Sequence, residues 1–202
     1  MKFGKRLTPS IPPMTPGTKM GICIGIVDIG TQPVTFKGKT NYKEQLLIVI
    51  EFPSEKIEID GEMKPRQLSR TMSRTTSDRG FFKQTVEAWF ARTFTEDELI
   101  EFETDVMLLR PCMVTVKLSE DGKYANIDNI VQYPDGIPVP TTTTVPYTFD
   151  MDAWDDEAFK KLPEWIQEKI KKSTQYQKQH APTTAIEVNP MESTSAEGEC
   201  PI

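Results

Sequence analysis

The chain has a single histidine, His180, and it falls in a stretch with no hydrophobic periodicity. A Ser/His/Asp or Cys/His centre therefore lacks a base on any element expected to be ordered. There are three cysteines, Cys23, Cys112 and Cys200. Their number is odd, their spacings are long and no CxxC occurs, which argues against a disulfide framework and a zinc site. Cys23 and Cys112 lie in apolar, strand-like runs and read as small core residues. No Walker loop or GxGxxG is present, and Gly21 and Gly25 do not open a helix, so no phosphate cradle is expected. No run approaches the roughly 20 apolar residues of a membrane span. The longest, Leu46–Ile50, has the length of a strand. Lys2, Lys5 and Arg6 lead into Pro9, Pro12, Pro13 and Pro16, not into the apolar segment of a signal peptide, so the chain is expected in the cytoplasm. Metal-dependent nuclease chemistry needs clustered carboxylates. In the sequence Asp28 and Glu51 stand alone, and Glu96–Glu103 reads as a solvated helix face. The expectation is a non-enzymatic protein with no cofactor and no metal.

Charge is unevenly spread along the 202 residues. Residues 1–92 carry 15 Lys and Arg against 9 Asp and Glu, and the remaining 110 carry 9 against 21. Such a split suggests a partner for the basic half and a separate role for the acidic end. Ordinary solvated surface with a solubilising tail gives the same split.

Residues 1–18 read as a Pro-rich N-terminal arm. From Lys19 an alternating pattern begins. Met20, Ile22, Ile24 and Ile26 share one face of a strand, and Gly21, Cys23 and Gly25 leave the other bare. Residues 31–41 read as a loop. Tyr42–Phe52 is expected as a second strand ended by Pro53, and Asp60-Gly61 signals a turn. Lys64–Arg74 is expected as a third, partly exposed strand. Asp78 offers an N-cap for a helix whose stripe is Phe82, Val86, Trp89 and Phe90. Thr95-Glu96-Asp97-Glu98 fits a capping box for a second, short helix. Cys112–Leu118, a turn at Asp121-Gly122 and Tyr124–Tyr133 form the clearest hairpin. Residues 19–133 thus form one β-rich domain. Residues 134–148, with four prolines around Thr141–Thr144, read as an extended linker. Residues 149–178 read as a helical segment, acidic first and basic later, interrupted at Pro163. Residues 179–202 read as a disordered acidic tail.

Three strands, a helix and two strands is the order of a five-stranded Greek-key barrel, the OB-fold, although other small mixed folds share it. Three stretches carry a resemblance. They are Pro16-Gly17-Thr18 leading to Ile26–Gln32, Trp89–Glu98 (WFARTFTEDE), and Leu109–Val116 (LRPCMVTV) with the following Ile127–Ile130 strand. Together with Leu162–Ile166 they resemble a family of bacteriophage OB-fold single-stranded-DNA-binding proteins found among replication and recombination genes. Phe90 and Ala91 depart from that family's pattern, in which the helix Trp is often followed by a basic residue and a glycine. The resemblance implies a mainly β, OB-like barrel with an inserted helix, C-terminal helices and an acidic tail. It also implies coating of single-stranded DNA, without strong sequence preference, in phage replication, recombination or repair. The host-cell cytoplasm is then the expected location.

Non-specific single-strand binding needs cations for phosphates and flat aromatic faces for bases. Phe36, Lys37, Lys39, Tyr42 and Lys43 cluster around one loop. Lys64, Arg66, Arg70 and Arg74 line the third strand, the three arginines at a spacing of four and on one face with Leu68 and Met72. That face suits a groove wall, or equally a charged edge that blocks aggregation. Lys123 and Tyr124 flank the last turn, and Tyr124 and Tyr133 are candidates for stacking or for packing. Trp89 reads as core, and Trp154 and Trp165 as anchors that dock the C-terminal helices on the barrel or on a partner. At the end of the chain, Glu197, Glu199, Pro201 and Ile202 loosely resemble the acidic tip with which bacterial single-strand-binding proteins dock replication or recombination proteins. A solubilising tail explains them as well. The alternative function is a protein-binding adaptor of a replisome or virion, using the barrel face.

Overall fold

The computed structural model describes residues 12–78 and 80–180. It is mainly β. Three long strands, β1 (Gly17–Phe36), β2 (Lys39–Ile59) and β3 (Glu62–Ser73), precede α1 (Phe81–Phe90), α2 (Glu96–Ile100) and a 3-10 turn at Thr104–Met107. Then come β4 (Pro111–Leu118), β5 (Ala125–Gln132), the short β6 (Tyr147–Phe149), and the helices α3 (Asp156–Lys161), α4 (Glu164–Ile170) and α5 (Thr174–Gln179). The six strands form one sheet in the order β3-β2-β1-β4-β5, with β6 parallel to β1 and every other pair antiparallel. The ladder does not close: among the described residues β3 and β5 exchange no strand pairing. The expected barrel is thus an open sheet whose two edges approach each other.

A β-bulge decides how β1 packs. The register slips between Cys23 and Gly25, so Ile22 and Ile24 face outward while Cys23 and Ile26 face inward. This corrects the expectation of one bulky and one bare face. One extra residue in a strand turns everything after it to the opposite side. Both faces are in fact covered. Inside, Cys23, Ile26, Leu46, Ile48, Ile50 and Phe52 pack on α1 through Phe82, Val86 and Trp89. Outside, Ile22, Ile24, Val27, Ile29, Leu47 and Val49 pack on Phe149, Met151, Leu162, Ile166 and Ile170 of the C-terminal segment. Each aliphatic side chain buried this way contributes about 1.5–3 kcal/mol. The helices of residues 149–178 are therefore the second layer over β1 and β2.

Local signals fare unevenly. The capping box at Thr95 forms, with Thr95 accepting from Glu98 N–H and Glu98 accepting from Thr95 N–H. The helix α1 begins later than expected, with Gly80 as N-cap, and Asp78 instead pairs with Lys83 at 2.6 Å. β2 does not stop at Pro53: a register shift between Phe52 and Lys56 accommodates the proline and pairing resumes to Ile59. Residues 31–41 are not a loop but the end of a β-ribbon, with Thr31 opposite Glu44 and Phe36 opposite Lys39. Its tight turn at Lys37-Gly38 takes positive φ at both residues. The 134–148 linker is tied down. Thr142 and Thr144 donate their hydroxyl protons to the buried carboxylate of Glu51, and Gln67 donates to it as well. His180 is not in the tail: it caps α5 and stacks on Tyr176 with ring centroids 3.9 Å apart.

Candidate nucleic-acid interface

Arg66 and Arg70 of β3 do share a face, and it is the inner one, while Arg74 follows directly after the strand. Phe52 lies opposite Arg66, Ile50 opposite Leu68, Ile48 opposite Arg70 and Leu46 opposite Met72. Arginines on such a face must leave the core through the sheet's open edge, and each finds a partner inside the molecule. Arg66 Nη1 donates to the Pro12 carbonyl at 2.7 Å. Arg70 Nη1 donates to the Ile127 carbonyl at 2.9 Å and to the Asp128 carbonyl, both on β5, and its guanidinium lies 3.6 Å from the Phe81 ring centre. Arg70 thus spans the seam where a β3–β5 ladder would run. Burial pulls its pKa below the ordinary arginine value, but a guanidinium keeps its charge. Arg74 pairs with Asp28 at 2.6 Å. The row expected as a phosphate-tracking wall is largely committed to holding the fold.

The remaining nominated residues fall into two zones. The first is the seam itself. A cleft of about 540 Å³ brings together Lys64 and Arg66 of β3, Lys123 and Tyr124 from the β4–β5 turn, Pro12–Met14, and Trp165 of α4. Tyr124 is 67% exposed and Trp165 43%, so both rings offer a face to a ligand. Two of the cations there carry carboxylate neighbours, Lys64 with Glu62 at 3.0 Å and Lys123 with Asp121 at 3.2 Å. Pairs this exposed are worth about 0–1 kcal/mol, and a phosphate displaces such a carboxylate at little cost. Of the two cleft aromatics, Trp165 carries no local sign of a role in nucleic-acid binding. Its place in LPEWI marks an amphipathic helix, but nothing local shows that the first turn of this helix lies beside β3.

The second zone is the β1–β2 ribbon. Residues 33–44 are exposed nearly throughout. The register puts Phe36, Lys39 and Lys43 on one face, and Tyr42 with Thr35 and Thr40 on the other. Phe36 is 68% and Tyr42 63% exposed. Lys37 leans over the Phe36 ring at 5.4 Å. Among the described residues Lys37, Lys39 and Lys43 form no salt bridge. Tyr133 is not a stacking platform: it is buried and donates its hydroxyl proton to the Pro138 carbonyl at 2.8 Å.

The carboxylates redistribute too. Asp28 stands alone in the sequence, yet Asp28, Asp150 and Asp152 place carboxylate oxygens within 4.8 Å of one another. Burial raises the Asp28 carboxyl above its ordinary value, against the opposing pull of the Gly30 N–H and Arg74. Asp28 is already satisfied by that N–H at 2.8 Å and by Arg74. Cys23 and Cys112 are buried free thiols, as their apolar surroundings suggested. Trp89 is core and donates its indole N–H to the Pro111 carbonyl at 2.9 Å. The tail residues Glu197, Glu199, Pro201 and Ile202 lie outside the described residues. Among the described residues no helix is long and apolar enough to cross a membrane. Comparison with protein-family models, with curated proteins and with solved structures gives no match to this chain.

Proposed function

We propose that this chain binds single-stranded DNA without strong sequence preference, on an open OB-like framework, in phage replication, recombination or repair. The strand order β3-β2-β1-β4-β5, with α1 between β3 and β4 and the edges of β3 and β5 approaching, is compatible with that framework. In OB-folds the oligonucleotide lies on the β2–β3 face between the β1–β2 and β4–β5 loops. Here these loops are Lys37-Gly38 and Ser119–Tyr124, and they carry five of the eleven nominated residues, Phe36, Lys37, Lys39, Lys123 and Tyr124, within or directly beside them. The observation that carries the reading is the cleft, where Lys64, Arg66, Lys123, Tyr124 and Trp165 come together from three separate elements. Cations and exposed rings in one groove supply the two requirements of sequence-tolerant binding.

Intrinsic fluorescence tests this directly, because Trp89 is buried and Trp154 packs against Phe149 and Phe159, leaving Trp165 the most exposed indole. Titrating an oligo-dT is expected to quench the emission, and Trp165→Phe is expected to remove most of the quench. An adaptor that uses the same face for protein would show neither effect.

A further inference from the structure

The helix α4 joins the cleft to the β1–β2 ribbon. Its first turn carries Trp165, which lines the cleft. Its last turn lies against the root of the ribbon, where Gln32 Nε2 donates to the Lys169 carbonyl at 3.0 Å. The chain just beyond is held at the same place. The Thr31 N–H donates to Gln175 Oε1 at 2.8 Å, and Gln175 Nε2 donates to the Thr31 hydroxyl oxygen at 3.0 Å. Gln32 stands directly opposite Lys43 in the ladder, so Lys43, Lys39 and Phe36 lie on the ribbon face where α4 ends.

Charge divides the surface of this helix and the turn after it. Trp165, Lys169 and Lys172 recur at i, i+4 and i+7 and make one stripe. Glu164, Glu168 and Lys171 make the neighbouring one, in which Glu168 pairs with Lys171 at 2.8 Å. Lys172 is exposed and Lys169 half-buried. Among the described residues neither forms a salt bridge, and nor do Lys39 and Lys43. In the cleft, by contrast, Lys64 and Lys123 each face a carboxylate. The acidic balance of residues 93–202 conceals the stripe, because its two lysines are averaged with distant carboxylates.

We propose that Trp165, Lys169 and Lys172 form the middle of a track along which a single strand runs from the cleft to the ribbon lysines. This rests on the single-strand-binding reading above, and it assigns phosphate contacts to the C-terminal segment. From Trp165 to Lys172 the helix rises about 10 Å. From Gln32 to Phe36 the ribbon adds about 13 Å. Along that path the strand meets a ring at the cleft, two cations on the helix, and two cations with a second ring on the ribbon. Such interleaving serves binding that tolerates any sequence. The Gln32 and Gln175 bonds then have a second purpose: they fix the helix end beside the ribbon, so that the two pairs of lysines face one strand.

The test compares the full chain with its Lys169→Gln/Lys172→Gln variant, which removes both charges and keeps most of each stem. An oligo-dT of about 15 nucleotides, long enough to leave the cleft, is titrated by anisotropy across a salt series. Two lost phosphate contacts make the log–log salt slope shallower by about 1.4, and lower affinity by about 25-fold at about 0.1 M salt, with the two proteins converging near about 1 M. The urea midpoint is expected to stay unchanged. Lys172→Gln alone, at an exposed position, is expected to move the slope by about 0.7, which keeps the test open if the double variant folds poorly. A second readout is protection of Lys169 and Lys172 from acetylation in the full chain when oligo-dT is bound. Equal slopes, or a shallower slope without that protection, would overturn the track while leaving the cleft intact. A full chain that binds no oligo-dT at any salt would overturn both.

Discussion

Arg70→Ala should cost more stability than any other cation-to-alanine change on β3, because Arg70 bridges two sheet edges that share no ladder. Its guanidinium donates to the Ile127 and Asp128 carbonyls and lies 3.6 Å over the Phe81 ring. A hydrogen bond with a charged donor is worth about 1.5–3 kcal/mol when desolvated. One of these two is part-buried and the other exposed, so the second is discounted to under about 1 kcal/mol. The arginine–ring contact adds about 0.5–1 kcal/mol at a half-exposed site. The loss should therefore total about 2–5 kcal/mol. With a urea m-value of about 2 kcal/mol/M, that lowers the midpoint by about 1–2.5 M at unchanged m. Arg70→Lys keeps the charge but loses the planar fork and the ring contact, so it should recover less than half of the loss. Arg66→Ala, which removes one bond to a carbonyl at an exposed site, should cost about 1 kcal/mol or less. An Arg70→Ala loss below about 0.5 kcal/mol would refute the idea that this side chain closes the seam. The comparison also shows why substituting all three arginines together is a poor test of binding: lost fold and lost contact would be read as one.

Other expectations follow from single sites. The buried Tyr147 hydroxyl has no hydrogen-bond partner among the described residues, so Tyr147→Phe should leave stability at pH 7 unchanged or raise it by about 1 kcal/mol; a loss of more than 1 kcal/mol in a urea melt would contradict this. Burial pushes the Tyr147 phenol up from 10.0 to about 12, so its stabilising contribution is full below pH 10 and is lost as pH rises toward 12. The Phe variant should lose less stability over that window. Glu51→Ala removes the acceptor for Thr142, Thr144 and Gln67, and should cost about 1–3 kcal/mol and expose residues 134–146 to limited proteolysis, with resistance equal to wild type as the contrary result. Burial pushes the Cys23 thiol up to about 12 and raises Cys112 as well, so iodoacetamide at pH 8 should leave both unmodified until urea is added; native labelling at the rate of a free thiol would count against their burial. Tyr124→Ala should weaken oligo-dT binding by about 1–3 kcal/mol without moving the urea midpoint, and unchanged affinity would remove Tyr124 from the interface.

Strands, turns and caps were legible in the sequence where the signal is local. Asp121-Gly122, Asp60-Gly61 and the Thr95 capping box rest on a few neighbouring residues, and each is found where the pattern puts it. The bulge at Ile24 was not legible, because alternation in Met20–Ile26 reads the same whether or not the partner strand slips by one residue. The second layer was only half visible. The apolar anchors of α3 and α4 announce helices with a buried side, while the run Leu46–Phe52 marks a strand without showing that both its faces are buried. The two facts belong together, but what joins them is long-range: β6 pairs with β1, Gln32 donates to the Lys169 carbonyl, and Gln175 bonds Thr31. Candidate-site residues divide on the same line. Phe36 lies in a stretch that the sequence marks as a turn region, whereas the fate of Arg66, Arg70 and Arg74 depends on partners 46 to 58 residues distant in sequence. A spacing of four tells correctly that Arg66 and Arg70 share a face, and cannot tell that the face turns inward.

The most direct test is anisotropy of the full chain with a labelled oligo-dT and a matched duplex, each at low and moderate salt. The account predicts tight binding to the single strand that weakens steeply with salt, and much weaker binding to the duplex. No single-strand binding at low salt would contradict it, and would turn the cleft between β3 and β5 into the contact face of a protein-binding adaptor.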